Sequence, residues 1–381
     1  MKPLQGIRVL DLSRVLAGPY ATALLADLGA QVIKVEPPSG DDYRHIGPFK
    51  DGESALFTLN NRGKQSIVLD LKDADDLALA RDIAARVDVV VENFRPGVAA
   101  RLGLGADELR AANPRLVYCS ISGFGQEGPF RDLPAYDLVV QAMSGLMAGT
   151  GEEGGQPLKT GEAIADLMAG LFAAWSIMAA LVGRDRTGQG ATLDVAMYDA
   201  LFSMLTTSHA LHLFAGRMPQ RVGNRHPLST PFGCYATRDG QVVIAVLNAR
   251  QFASLARLVG APEAADDPRF ASDESRTEHE PAVRAMIENW SQGLTTDQAV
   301  AALSAAGLPG APIWDIAQAA SNEHAAVRGL VSELPHPRLG SAPVVGQPVR
   351  FDGEKPVASV SAPALGADRA AILADLEIEG E

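Results

Sequence analysis

Residues 6–35 read GIRVLDLSRVLAGPYATALLADLGAQVIKV. The stretch opens with a short apolar run at 6–12, continues as a helical segment over 19–28, and returns to a β-branched run at 31–35. Outward from it the alternation repeats, with strand-like residues at 66–69, a helix over 74–86, and further strand-like runs at 88–91 (DVVV) and 115–120. Short β-branched runs separated by amphipathic helices predict a parallel, doubly wound α/β sheet. Ligands bind beyond the carboxyl ends of such strands, so the loops after these runs are where a site is expected.

Farther along, 191–195 reads as another strand and 197–214 as one helix, and the Pro/Gly/Arg-rich stretch 216–231 reads as a loop. Residues 235–246 resemble a hairpin turning at Arg238-Asp239-Gly240. Helical segments at 250–259, 280–293 and 296–306 suggest a smaller α+β domain. The tail over 331–360 is strand-like and punctuated by Pro, and 368–376 reads as a last helix.

The chain has 381 residues, 47% hydrophobic and 21% charged, long enough for two domains with their own cores. A formal net charge of −13 argues against nucleic acid or an anionic membrane as partner. The two cysteines, Cys119 and Cys234, lie far apart without CxxC spacing, so neither a disulfide framework nor a structural zinc site is expected, and no metal is. Cys119 sits in an apolar run and reads as a small buried hydrophobe. The N-terminus lacks the apolar core of a signal peptide, so a cytoplasmic location is expected.

Asp166 is the only ionisable side chain in residues 163–183, AIADLMAGLFAAWSIMAALVG. A carboxylate in such a stretch is costly unless something uses it, because desolvation penalises the charged form. It falls where a helix begins, and there it either caps the helix or works as a reactive group held by free N–H groups. The sixteen uncharged residues at 167–182 fall short of the roughly 20 that span a bilayer, so a central core helix is the expectation.

Two literal G-x-G-x-x-G matches, 123–128 (GFGQEG) and 149–154 (GTGEEG), carry acidic residues where pyrophosphate would lie and do not open a helix after the first strand. The P-loop and the G-x-S-x-G elbow are absent, which removes the usual signs of an ATPase and of a serine hydrolase. His209 and His212 have no acidic or Cys partner nearby and read as ordinary core or surface histidines. More informative are residues at the predicted strand ends. Leu69 and Phe94 supply an apolar slot, Lys72, Arg95 and Arg101 supply cations, and Asn93 supplies amide polarity, a set suited to a nucleotide-like ligand with several phosphates. The small residues of 14–19 (RVLAGP) would let a ligand approach the backbone.

With these motifs in order, the chain closely resembles the family III CoA-transferases, the formyl-CoA transferase and carnitine-CoA transferase group. The likeness runs from Leu4 to about Ile372. It rests on PLQGIRVLDLSRVLAGP (3–19), GAQVIKVEPPSGDD (29–42), RGKQSIVLDLK (62–72), VENFRPG (91–97), SISGFGQEGP (120–129), AYDLVVQAMSG (135–145), GEAIADLMAG (161–170) and TGQGATLDVAMYDAL (187–201). The resemblance implies that Asp166 is the nucleophilic aspartate. It implies that Val15, Leu16, Ala17, Leu69, Lys72, Asn93, Phe94, Arg101 and Met197 contact CoA, and Arg95 and Tyr136 are assigned to the same group. It further implies a Rossmann-like large domain built from both chain ends (1–215 with 330–381), a small domain at 225–325, and an interlocked homodimer. No cofactor is expected to stay bound; coenzyme A enters as an acyl-CoA substrate beside a small carboxylic acid.

Formyl-CoA transferase carries a glutamine where this chain has Leu16 and a basic residue where it has Pro37, and its glycine-rich lid has no counterpart here. These departures argue against oxalate and formate as substrates. The segments 223–227 (GNRHP) and 248–252 (NARQF) look more like transferases that use succinyl-CoA and short dicarboxylates. Arg44, Arg225 and His226 are nominated for the acid's distal carboxylate, and backbone N–H groups near Ser122-Gly123 or Gly149 for the oxyanion. The expected chemistry is attack by Asp166 on the thioester, giving a mixed anhydride and then an aspartyl-CoA thioester. The rival reading is an α-methylacyl-CoA racemase. That reaction needs an acid and base across the α-carbon, and the racemases carry a histidine where this chain has Tyr136, whose ordinary pKa of about 10 makes it a poor base. A non-catalytic CoA-binding protein is the other alternative, but it would have no use for a carboxylate at position 166.

Overall fold

The opening run folds as strand, helix and strand: β1 (Arg8–Asp11), α1 (Ala17–Asp27) and β2 (Gln31–Glu36). A computed structural model describes residues 1–378. Four more strands join the first two: β3 (Lys64–Val68), β4 (Val89–Glu92), β5 (Val117–Ser122) and β6 (Thr192–Ala196). All six pair in parallel, in the order β3-β2-β1-β4-β5-β6. The order reverses between β1 and β4, which fixes the ligand crevice outside their carboxyl ends.

Side chains alternate across this sheet. Val9, Val89, Val91, Cys119 and Ile121 pack on one face with α1 and with α4 (Ile164–Thr187), while Leu10, Ile33, Val90 and Tyr118 pack on the other with Ile83 of α2 (Ala74–Ala84). Cys119 is fully buried, and burial pushes its thiol up, so it acts as an inert core residue.

Helix α4 is longer than the sequence reading allowed. It has 24 residues and is long and apolar enough, by length and composition, to cross a membrane. On one side of it Ala165, Ala169, Ala173 and Ile177 are buried in the core cluster. At Gly170 a Cβ would lie 2.6 Å from the Ala17 carbonyl oxygen and 2.9 Å from the Tyr20 ring. The bare glycine is what lets α1 approach so closely.

The chain divides into two units. The first comprises Met1–Leu146, Thr160–Leu205 and the described residues from Asn322 on; the second comprises Met147–Lys159 and Thr206–Ser321. Two sequence boundaries need correction. Residues 147–159 and 206–215, read as part of the large domain, cluster with the second unit. Arg221 donates to the Ala148 and Gly155 carbonyls at 3.0 and 3.1 Å, and the Gly223 amide donates to Gly151 at 2.9 Å, so 147–159 is tied to the loop around 221–223. The helix expected over 197–214 is also broken. After Met197–Ser203 the amides of Met204 and Leu205 bond to carbonyls three residues back, which tightens and ends the turn.

In the second unit the hairpin pairs β7 (Phe232–Ala236) with β8 (Gln241–Ala245), and Gly310–Pro312 adds a third antiparallel strand. Helices Ala249–Leu258, Glu280–Ser291 and Thr296–Ala305 cover it. Val331–His336 and Gly340–Val345 form an antiparallel pair in the first unit, and the last helix is Arg369–Asp375. The final three residues of the segment read as 330–381 lie outside the described residues.

Candidate active site

Asp166 is the third residue of α4, where backbone amides have no intrahelical acceptor. The cap comes from elsewhere. Ala163 offers no side-chain bond, and Asp137, the first residue of α3 (Asp137–Met143), accepts the Ala165 amide on Oδ1 at 2.7 Å. Fully buried Gln141 completes the brace, donating to Asp137 Oδ2 at 2.6 Å and accepting the Thr160 amide at 3.0 Å. With the cap supplied by Asp137, the reading of Asp166 as a helix cap is set aside. No hydrogen bond or ion pair reaches the Asp166 carboxylate among the described residues. Burial, and after it the neighbouring Asp137 charge, push its pKa from 3.8 to about 7. These outweigh the helix dipole, which favours the anion.

The carboxylate faces a cavity of about 340 Å³. The loop after β1 contributes Arg14, Val15, Leu16 and Ala17, the loop after β4 contributes Asn93, Phe94 and Arg95, and Ser122, Gly123, Arg131 and Tyr136 follow β5. Met197 closes the lining. Eight residues assigned to CoA contact therefore share one cavity with Asp166. Leu69 and Lys72 do not; they line a second, more apolar cavity of about 300 Å³ that shares Arg14, Phe94 and Val98 with the first. Arg101 lines neither and lies against Gly97. Tyr136 is 75% exposed.

Beneath the crevice lies a set of buried charges that the sequence reading passed over. Lys64 meets Asp11 at 2.9 Å and Lys34 meets Asp41 at 2.8 Å, all four buried. Burial works against the Lys34 charge, but Asp11, Asp41 and Glu36 outweigh it and hold its pKa above the ordinary value. Burial also opposes ionisation of Asp11, yet Lys64 and Lys34 hold its pKa down at about 2. Charges inside otherwise apolar strand runs, such as Asp11 and Lys34, were the signal available in the sequence.

Of the residues nominated for the acid, Arg44 is taken up elsewhere. Its guanidinium pairs with Glu36 through two bonds of 2.7 Å, donates to the Pro363 carbonyl at 3.1 Å, and lies 3.7 Å over the Phe57 ring. In the second unit Arg225 pairs with Glu153 at 3.2 Å, and His226 Nδ1 accepts the Leu228 amide at 3.2 Å. Arg131 and Asp137 were missed; both lie past the carboxyl end of β5, where the strand-end rule points. Among the described residues no group of three or more His, Cys, Asp and Glu side chains is placed to hold a metal.

An unpaired carboxylate with a raised pKa lines a cavity at the switch point of a parallel sheet, and comparison with known proteins supplies the family. The chain belongs to CoA-transferase family III, whose pattern matches residues 4–369. It is 41% identical to the acetyl-CoA:oxalate CoA-transferase of Acetobacter aceti, over 97% of this chain and 95% of that one. It is 40% identical to the succinate–glutarate CoA-transferase of Agrobacterium fabrum, over 98% and 96%. The crystal structure of a CAIB/BAIF family protein from Brucella suis superposes with a TM-score of 0.87 at 37% identity, covering 98% of this chain and 99% of that chain. The protein is a CoA-transferase that acts between an acyl-CoA and a carboxylic acid. With one relative named for oxalate and another for glutarate at nearly equal identity, similarity does not single out the acid.

Proposed function

We propose that the enzyme moves CoA from a short acyl-CoA, with succinyl-CoA the favoured donor, to a small dicarboxylic acid through acylation of Asp166. An Asp166 oxygen attacks the thioester carbonyl, the C–S bond breaks, and CoA leaves as the thiolate with the bonding electrons, giving a mixed anhydride. The thiolate attacks the aspartyl carbonyl and expels the donor acid as its carboxylate. The incoming acid then attacks the aspartyl-CoA thioester, and the same two steps in reverse return Asp166 and the new acyl-CoA. Charge is conserved at each step, and no proton or ATP is consumed.

The observation that carries this reading is the Asp166 carboxylate, unpaired and raised to about 7, facing the crevice outside β1 and β4. A raised pKa makes the anion a stronger nucleophile, and the apolar setting excludes the water that would hydrolyse an anhydride. Arg95, Arg131 and Arg14 give the cavity cations for the CoA phosphates. The protein is also proposed to pair with a second copy of itself: Leu171, Trp175 and Val182 of α4 are 48%, 61% and 54% exposed, an apolar face that a partner would cover.

The test is CoA exchange by Asp166→Asn and Asp166→Ala, checked for folding by circular dichroism. Loss of transfer by at least three orders of magnitude supports the reading. Transfer at the native rate would sink it.

A further inference from the structure

Val15 stands in the wall of the Asp166 cavity with φ +69°, a left-handed conformation that a β-branched residue adopts only under strain. Side chains from other elements hold the turn around it. Lys34 Nζ donates to the Ser13 carbonyl at 2.9 Å. The Asn93 amide is spent on Arg14, accepting its N–H at 2.9 Å and donating to its carbonyl at 2.8 Å. Asp41 Oδ1 accepts the Val15 amide at 3.1 Å and the Tyr43 amide at 2.9 Å. Asp41 and Lys34 are each 1% exposed at the side chain and 2.8 Å apart. A buried ion pair is a poor source of net stability compared with apolar packing of similar volume, so its presence under the site calls for another use.

We propose that Asp41, anchored by Lys34, is a positioning residue for CoA transfer: by holding the Val15 amide it keeps the strained turn in place, and with it the Val15–Ala17 wall against which acyl-CoA lies. The inference rests on the CoA-transfer reading above. Without the acceptor, Val15 relaxes toward negative φ and the peptide leading into α1 rotates. The thioester then loses its register against Asp166, and near-attack geometry is sensitive to displacements of about 1 Å.

The experiment is steady-state kinetics of the full chain with succinyl-CoA and glutarate, and with acetyl-CoA and oxalate, beside calorimetric titration with CoA alone. Asp41→Ala is expected to raise KM for acyl-CoA at least fivefold, weaken CoA binding to match, and leave KM for the acid within twofold. Asp41→Asn keeps an oxygen for the Val15 amide and should stay within twofold of wild type in both. In the Asp41→Ala background, Val15→Gly removes the strain and should recover at least half of the lost kcat/KM. Lys34→Met/Asp41→Leu exchanges the pair for apolar side chains and stands in if Asp41→Ala does not fold; the same rise in KM is expected. A folded variant without the acceptor that keeps the native KM overturns the proposal, as does a loss in Asp41→Asn equal to that in Asp41→Ala. A wild-type protein inert toward every acyl-CoA would overturn the CoA-transfer reading instead.

Discussion

Asp137 accepts the Ala165 amide proton at 2.7 Å, and so caps the helix whose next residue is Asp166. One carboxylate is consumed in fixing the helix, and its charge raises the pKa of the other, which has no bond of its own. Their surroundings thereby set the two acids apart, one capping a helix and one unpaired with a raised pKa.

As the proposed nucleophile, Asp166 must be ionised, so kcat/KM should rise with pH, with unit slope below about 7 and a plateau above it. A pH–rate profile across pH 5–9 checks this. A limb near pH 4 would mean that the free enzyme does not hold Asp166 in its raised state.

Asp137→Asn removes the like charge while keeping an oxygen for Ala165. Because burial is the larger cause of the shift, the acid limb should move down by about 1 pH unit or less and stay well above 3.8. The profile of the variant decides it; an upward movement would contradict the assigned cause.

Stability should carry the same signature. The folded pKa of Asp166 lies above its unfolded value of 3.8, so between that value and about 7 the folded state keeps a proton that the unfolded state has lost. Stability therefore falls as pH rises through this window. Asp166→Asn should be more stable than wild type at pH 8, by about 1–3 kcal/mol, and no more stable at pH 3. Denaturant melts at the two pH values give the comparison.

Another buried pair fastens the C-terminal segment. Arg62 meets Asp27 at 2.6 Å, and the same carboxylate accepts the amides of Gln347 at 2.9 Å and Ala358 at 3.1 Å. Asp27→Ala strands a buried guanidinium and two amides and should cost about 3–5 kcal/mol, read by chemical denaturation.

The parallel sheet was legible because its strands are buried on both faces and read as continuous β-branched runs, down to Val89–Glu92. Asp166 was legible because no other charge falls between 163 and 183. Arg44 was misassigned for a physical reason: sequence does not show that Glu36, eight positions earlier, turns back to take its guanidinium. Asn93 lines the cavity as the sequence suggested, but sequence does not show that its amide is also bonded to the Arg14 backbone. The break after Ser203 escaped notice because 197–214 keeps helical composition throughout, and the break is set by where the chain leaves the first unit.

The most direct measurement is mass analysis of the peptide containing Asp166 after the protein meets acyl-CoA and is quenched with hydroxylamine. The account predicts a hydroxamate at Asp166, formed only when acyl-CoA is present and accompanied by loss of activity. An unmodified Asp166 in protein that is turning over, or modification at another carboxylate, would contradict it.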